Sequence, residues 1–249
     1  MNEFNYESFY NKIGKVNGWD FSNVKSFTEG VTWDFYDEVQ KRSKQTDVLL
    51  DIGTGGGENL IRISSSLLFS IGIDLSKGML ETAATNLKNA DVSNVKFFHM
   101  SSDYLQFPSG FFDVVSSRHA PFSSTELFKV LKSGGWFLTQ QVSEADKLNI
   151  KNTFGRGQAY DKTDGTSKGR YIRELKEAGF SEVQSVEYDA IEYFQRPEDL
   201  LFLLTNTPII PGFGEDRKDY KILNEFIKNN QHAKGIRTNS KRFLIIAKK

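Results

Sequence analysis

The stretch Val48–Glu58, VLLDIGTGGGE, decides how the rest of this chain is read. Val48, Leu49 and Leu50 form an apolar run that ends in Asp51. Gly53, Gly55 and Gly57 then alternate with Thr54 and Gly56 before a helical pattern opens at Glu58. A short apolar run bounded by glycines predicts a buried strand, a glycine turn and a helix. Without a Cβ the turn can be tight and can approach a ligand closely. The first N–H groups of the following helix are free to face that ligand. The unit reads as a cradle for a cofactor.

Outward from this stretch the chain alternates strand and helix. Strands are expected at Asp47–Ile52, Ser70–Asp74, Val95–His99, Phe112–Ser117, Trp136–Val142, Val183–Asp189 and Arg242–Lys248. Helices are expected at Glu58–Leu68, Gly78–Asn89, Thr125–Leu131 and Lys168–Ala178. Such alternation predicts an α/β domain over residues 47–249, a parallel sheet covered on both faces. Residues 1–46 read as an N-terminal helical lid segment, dense in aromatics, with Trp19, Phe21 or Trp33 turned toward the site. Asp146–Ser167 is polar and glycine-rich and reads as a long mobile loop, in which Arg156 closes over substrate. Residues 190–240 read as a cap insertion before the last strand.

Composition narrows the function classes. Lys+Arg and Asp+Glu are both 32 in 249 residues, which counts against a nucleic-acid partner. The absence of cysteine removes disulfides, thiolate metal sites and cysteine nucleophiles. The three histidines have no metal-ligand spacing, so no metal is expected. No apolar run approaches the ~20 residues of a membrane span, and MNEFNYESF is not a signal peptide, so a cytoplasmic protein without a membrane partner is expected.

The glycine turn does not fit the dinucleotide fingerprint, because Glu58 falls where a third glycine belongs. It does not fit the phosphate-loop motif either, since no lysine follows the glycines. A second acid, Asp74, ends the next strand, where a carboxylate accepts the ribose hydroxyls of a bound nucleoside. With its Asp51–Gly57 turn, IDLSKGML after the second strand and LKSGGWFL before the fifth, the chain resembles the class I S-adenosylmethionine-dependent methyltransferases from about Asp47 to Val142, with Arg242–Lys248 as the last strand. The resemblance implies a Rossmann-like, seven-stranded, mostly parallel sheet with S-adenosyl-L-methionine as cofactor. It implies that Asp51, Gly53, Thr54, Gly55 and Gly57 hold the methionine part, Asp74 the ribose, and Leu75 the adenine. The chain departs from the family after the third strand. Ser101 stands where members carry an aspartate toward the adenine, so Ser102 and Asp103 share that assignment. Arg118 completes the cofactor set.

Ligands lie beyond the carboxyl ends of such strands. There the chain offers His119 as a base, for an acceptor that loses a proton, and otherwise as a hydrogen-bonding group. Gln140 or Gln141 is expected to meet a polar edge of the acceptor, one of them at most because successive residues of a strand face opposite ways. Trp19, Gln140 and Arg156 make up the substrate set. Three functions stay open. The leading one is methyl transfer to a small molecule by in-line displacement. The second is methylation of a ribosomal or transfer RNA base, suggested by a tail resembling some RNA-modifying relatives and by the basic run Lys234, Arg237, Lys241, Arg242, Lys248 and Lys249. The third is S-adenosylmethionine binding without catalysis.

Overall fold

The computed structural model describes residues 8, 9, 12, 13 and 23–249. Strands β1 (Ser26–Glu29), β2 (Val48–Ile52), β3 (Phe69–Asp74), β4 (Val95–His99), β5 (Phe112–Arg118), β6 (Leu131–Val142), β7 (Glu182–Phe194), β8 (Gln231–His232) and β9 (Gly235–Lys248) form one sheet. Its order is β1-β7-β9-β6-β5-β2-β3-β4, with β8 paired to β9. Strands β4, β3, β2, β5 and β6 are parallel neighbours, and β9 enters antiparallel between β6 and β7. The expected seven strands are present. The count rises to nine because β1 and β8 add short antiparallel pairings at the β7–β9 end.

The helices are α1 (Phe35–Lys41), α2 (Glu58–Ile63), α3 (Lys77–Asn89), α4 (Ser124–Val130), α5 (Leu148–Phe154), α6 (Thr166–Glu177), α7 (Pro197–Asn206) and α8 (Lys218–Asn230). Strand alternation sorts the core into two layers. Leu50, Ile71, Val115, Phe137 and Ile245 pack on one face with Leu127 of α4 and Leu175 of α6. Leu49, Val114, Leu138 and Leu244 pack on the other with Val39 of α1 and Leu60 of α2. Side-chain caps fix where helices begin: Asp34 accepts from the Asp37 N–H, and Ser76 from the Met79 N–H.

Three expectations are corrected. The segment before residue 47 is not wholly helical, because β1 lies along β7 and stacks Phe27 on Tyr193. The excursion before the last strand is residues 195–234, not 190–240. Strands β7 and β9 continue pairing past the end of β6, as far as Phe194 and Ile236. Residues 146–167 are not one long loop, because they contain α5. Ile150 and Phe154 of that helix join Phe194, Leu200, Leu204, Leu223, Phe226 and Ile236 in a third core beyond the carboxyl ends of the parallel strands.

Phe226 is fully buried at the centre of that third core. Phe226→Ala is expected to lower unfolding free energy by about 3–5 kcal/mol, read as a shifted urea midpoint.

Candidate functional site

The glycine turn is shaped by its neighbours. Gly53, Gly55 and Gly57 all have positive φ, at 69°, 58° and 74°. A Cβ on Gly53 would stand 2.2 Å from the Cβ of Ala120, and one on Gly57 would stand 2.4 Å from the Phe97 ring. The loop after β5 therefore presses directly against the turn, and β4 supports it from the other side.

Asp51 is buried at the end of β2, in register with Gly72 of β3 and Ser116 of β5. Ser116 Oγ donates to its carboxylate at 2.6 Å, and the Tyr36 hydroxyl donates at 3.5 Å. Burial raises the Asp51 pKa from 3.8 to about 6, against the pull of the Ser116 hydrogen bond. The Tyr36 hydroxyl is itself held protonated, chiefly by burial and then by the Asp51 charge. Asp74 ends β3 and accepts from the N–H groups of Gly55, at 2.9 Å, and Ser76, at 2.8 Å. Its carboxylate thus ties the turn to the start of α3. Burial raises its pKa.

The turn, the acid beneath it and the acid beside it meet the requirements of S-adenosylmethionine. The turn carries no side chain at Gly53, Gly55, Gly56 or Gly57, and two buried or half-buried carboxylates flank it, a donor set that fits a cationic nucleoside cofactor. Leu75 is 47 % exposed next to Asp74, and its carbonyl is 2.9 Å from His99 Nε2. Ser102 is buried, whereas Asp103 is exposed and its N–H donates to Ser101 Oγ at 3.1 Å. Arg118 is exposed at the end of β5, its guanidinium 6.0 Å from the centre of the Tyr36 ring, and its charge reaches Asp51.

A second feature lies beyond β5 and β6. A cavity of about 180 Å³ is lined by His119, Gln141, Glu144, Asp146, Lys151 and Tyr171, among others, with Ile209 of the cap on its wall. His119 is half-buried in left-handed backbone, with φ 59°. Desolvation first, then the charges of Arg242 and Arg118, push its pKa well below the ordinary value. Gln140 does not line this cavity. It bridges Trp33 Nε1, 2.8 Å from its Oε1, and His119 Nε2, 3.2 Å from its own Nε2. Gln141, its neighbour on the opposite pleat, is the glutamine on the wall.

Arg156 is engaged elsewhere. Its Nη2 donates to both carboxylate oxygens of Asp219 at 2.9 Å, and Nη1 donates to the Pro211 carbonyl. A guanidinium so held staples residues 155–157 to the cap rather than closing over a ligand. Trp19 and Phe21 lie outside the described residues. Tyr36 and Ser116, which flank Asp51, escaped the sequence-derived set. The one signal for Tyr36 was its place, three residues after Trp33, on a helix that covers the end of β2.

Residues 49–135 match the profile of a methyltransferase domain. The chain is 35% identical over 97 residues to the uncharacterized methyltransferase YcgJ of Bacillus subtilis (strain 168), spanning 36% of this chain and 38% of that protein. It is 24% identical over 161 residues to the demethylmenaquinone methyltransferase of Geobacillus sp. (strain WCH70), spanning 60% of this chain and 66% of that protein. These matches thus span less than two thirds of either relative. The crystal structure of YcgJ superposes with a TM-score of 0.63 at 19% identity, covering 86% of this chain and 97% of that one.

An acid whose pKa is raised on folding stabilises the fold below its unfolded pKa, and that contribution is lost as pH rises through the folded value. Between pH 4 and 7, Asp51 is expected to remove about 3 kcal/mol of stability from the ligand-free protein. Denaturation of Asp51→Asn across this range should lack that loss.

Proposed function

We propose that this chain, a class I S-adenosylmethionine-dependent methyltransferase, transfers a methyl group to a small-molecule acceptor held in the cavity beside His119. The observation that carries the reading is the place of that cavity. It lies beyond the carboxyl ends of β5 and β6, where the loop carrying His119 and Ala120 touches the glycine turn. A donor held by Asp51, the turn and Asp74 would face it across that loop.

S-adenosylmethionine supplies, when bound, a methyl group on a sulfonium with a neutral thioether as leaving group. The chain's own part is orientation and exclusion of water. Asp74 holds the ribose hydroxyls while accepting from the Gly55 and Ser76 N–H groups. Leu75 offers its exposed apolar side chain to the adenine, and Ser102 and Asp103 offer it polar groups. Asp51, Gly53, Thr54 and Gly57 shape the floor for the methionine part, and Arg118 sets the charge at its rim. The carboxylate of Asp51 is costly to ionise in the ligand-free fold, and a cationic cofactor offsets that cost. Cofactor affinity should therefore rise with pH through about 6.

Two observations favour a small molecule over RNA. The cavity is small, and Ile209 of the cap contributes to its wall. Much of the basic C-terminal run is paired: Lys234 with Glu29, Lys241 with Asp164, Arg242 with Asp146, and Lys248 with Glu182. Cations so paired offer fewer free charges to a phosphate backbone. The Geobacillus relative is named for demethylmenaquinone.

Calorimetry with S-adenosylhomocysteine is expected to show micromolar binding that Asp74→Ala weakens at least tenfold and Gly53→Val abolishes. Methyl-tritiated S-adenosylmethionine, incubated with enzyme and fractionated cell extract, should label the low-mass fraction and leave total RNA unlabelled. Label in RNA that Asp74→Ala eliminates would overturn the small-molecule reading.

A further inference from the structure

Gln140 stands between Trp33 and His119. An indole N–H can only donate, so Oε1 of Gln140, 2.8 Å away, is the accepting end of the amide and Nε2 is the donating end. That Nε2 lies 3.2 Å from His119 Nε2, which must accept. A neutral imidazole that accepts at Nε2 carries its hydrogen on Nδ1. Protonation of Nε2 would set N–H against N–H, in keeping with the downward push of burial on its pKa. Among the described residues no hydrogen bond engages Nδ1, and His119 is one of the residues that line the cavity. The lone pair needed for a base at Nε2 is already committed. His119 therefore meets the acceptor as a donor.

Lys151, on α5, lines the same cavity and is buried. Its Nζ donates to the Glu144 and Gln158 carbonyls and lies within ion-pair distance of no carboxylate among the described residues. Ammonium carries three hydrogens, so one is left over. The nearby acids are otherwise engaged. Asp146 is matched by Arg242 and Lys147, and accepts from the Lys241 N–H. Asp164 is matched by Lys241. The Glu144 carboxylate accepts from the N–H groups of Gly165, at 3.1 Å, and Ser167, at 2.7 Å, at the amino end of α6, where the helix dipole favours its charge. Lys151 is left as a buried cation with a spare donor. Burial pushes its pKa down, and the charges of Asp146, Glu144 and Asp164 offset that push only in part; an anionic ligand at the spare hydrogen would offset more of it.

The backbone supplies an independent sign. Among the described residues only His119, Lys147 and Ala159 combine a side chain with positive φ. His119 and Ala159 line the cavity, and Lys147 adjoins Asp146 on its wall. Each such conformation costs on the order of 1 kcal/mol, and such costs gather where geometry is held for a ligand.

We propose that the methyl acceptor carries an oxyanion, a carboxylate or a phenolate, and that Lys151 Nζ and the Nδ1–H of His119 receive that oxygen. This rests on the methyl-transfer reading and adds the chemical class of the acceptor. The role of Trp33 and Gln140 is positioning: they set the tautomer of His119 without touching the acceptor.

The test uses the full chain saturated with S-adenosylhomocysteine, with benzoate and 4-nitrophenolate as anionic probes and benzamide as the neutral one. At pH 8 both anions are expected to bind at least tenfold more tightly than benzamide. Lys151→Met should cut anion affinity about tenfold or more, leaving benzamide and S-adenosylhomocysteine binding unchanged. His119→Ala should weaken the anions, and His119→Asn, which returns an N–H close to the Nδ1 position, should recover part of the loss. Nitrogen-15 spectra of histidine-labelled wild-type protein should show His119 neutral with its hydrogen on Nδ1, and Gln140→Leu should blur that preference. Benzoate binding alone, without 4-nitrophenolate, would select the carboxylate, and the converse the phenolate. Equal affinity for benzamide and the anions, no saturable anion binding below about 20 mM, or a hydrogen on Nε2 would overturn the proposal. If Lys151→Met fails to fold, the wild-type comparison and the nitrogen-15 spectrum still decide. Failure of S-adenosylhomocysteine to bind would instead defeat the methyl-transfer reading itself.

Discussion

A side chain at position 53 would collide with Ala120, the nearer contact being 2.2 Å between Cβ atoms. The bare α-carbon of Gly53 lets the loop after β5 lie against the turn after β2. That close approach joins the two halves of the site. On one side of it are Asp51, the alternating glycines and Asp74. On the other are His119, Gln140 and the polar cavity under the cap. The left-handed backbone at Gly53 and His119 is the local cost of bringing two strand ends this near.

The two halves rest on different physics. The donor side is mostly backbone, with two carboxylates whose pKa values burial raises in the absence of ligand. The acceptor side is a set of side chains from distant parts of the chain, matched against one another almost completely. Asp146 with Arg242 and Lys147, Asp164 with Lys241, and Glu144 with the start of α6 account for these carboxylates, while Lys151 keeps a hydrogen to spare and the Nδ1 of His119 has no hydrogen bond among the described residues. Specificity in such a site comes from what is left unsatisfied rather than from the number of charges.

The third core beyond the carboxyl ends of the strands gives these side chains a rigid frame. Continued pairing of β7 with β9 past the end of β6 makes a ribbon, and α5, α7 and α8 pack on it through Ile150, Leu204 and Phe226. Arg156 and Asp219 fasten the segment after α5 to this frame. The wall of the cavity is therefore built on packed structure where composition suggested a loose loop.

The donor half was legible because its determinants are local. A strand, an acid, three alternating glycines and a second acid ending the next strand lie within a short span, and glycine spacing reports backbone shape directly. The two-layer sheet was legible because apolar periodicity reports burial face by face. The acceptor half was not. Glycines and charges made residues 146–167 look like solvent-exposed loop, although Lys151 is buried there and Asp146 and Asp164 pair with Arg242 and Lys241 of the last strand, and the strong pairing of Arg156 has no sequence signature. The hydrogen bonding of the His119 ring depends on an indole more than eighty residues upstream, relayed by the amide of Gln140 on the neighbouring strand. By itself the sequence determined the glycine turn and the acid on either side of it, since these are properties of consecutive backbone. Only the tertiary structure decided which side chains line the cavity beside the turn and which groups the His119 ring meets, since those follow from contacts between residues the chain keeps far apart.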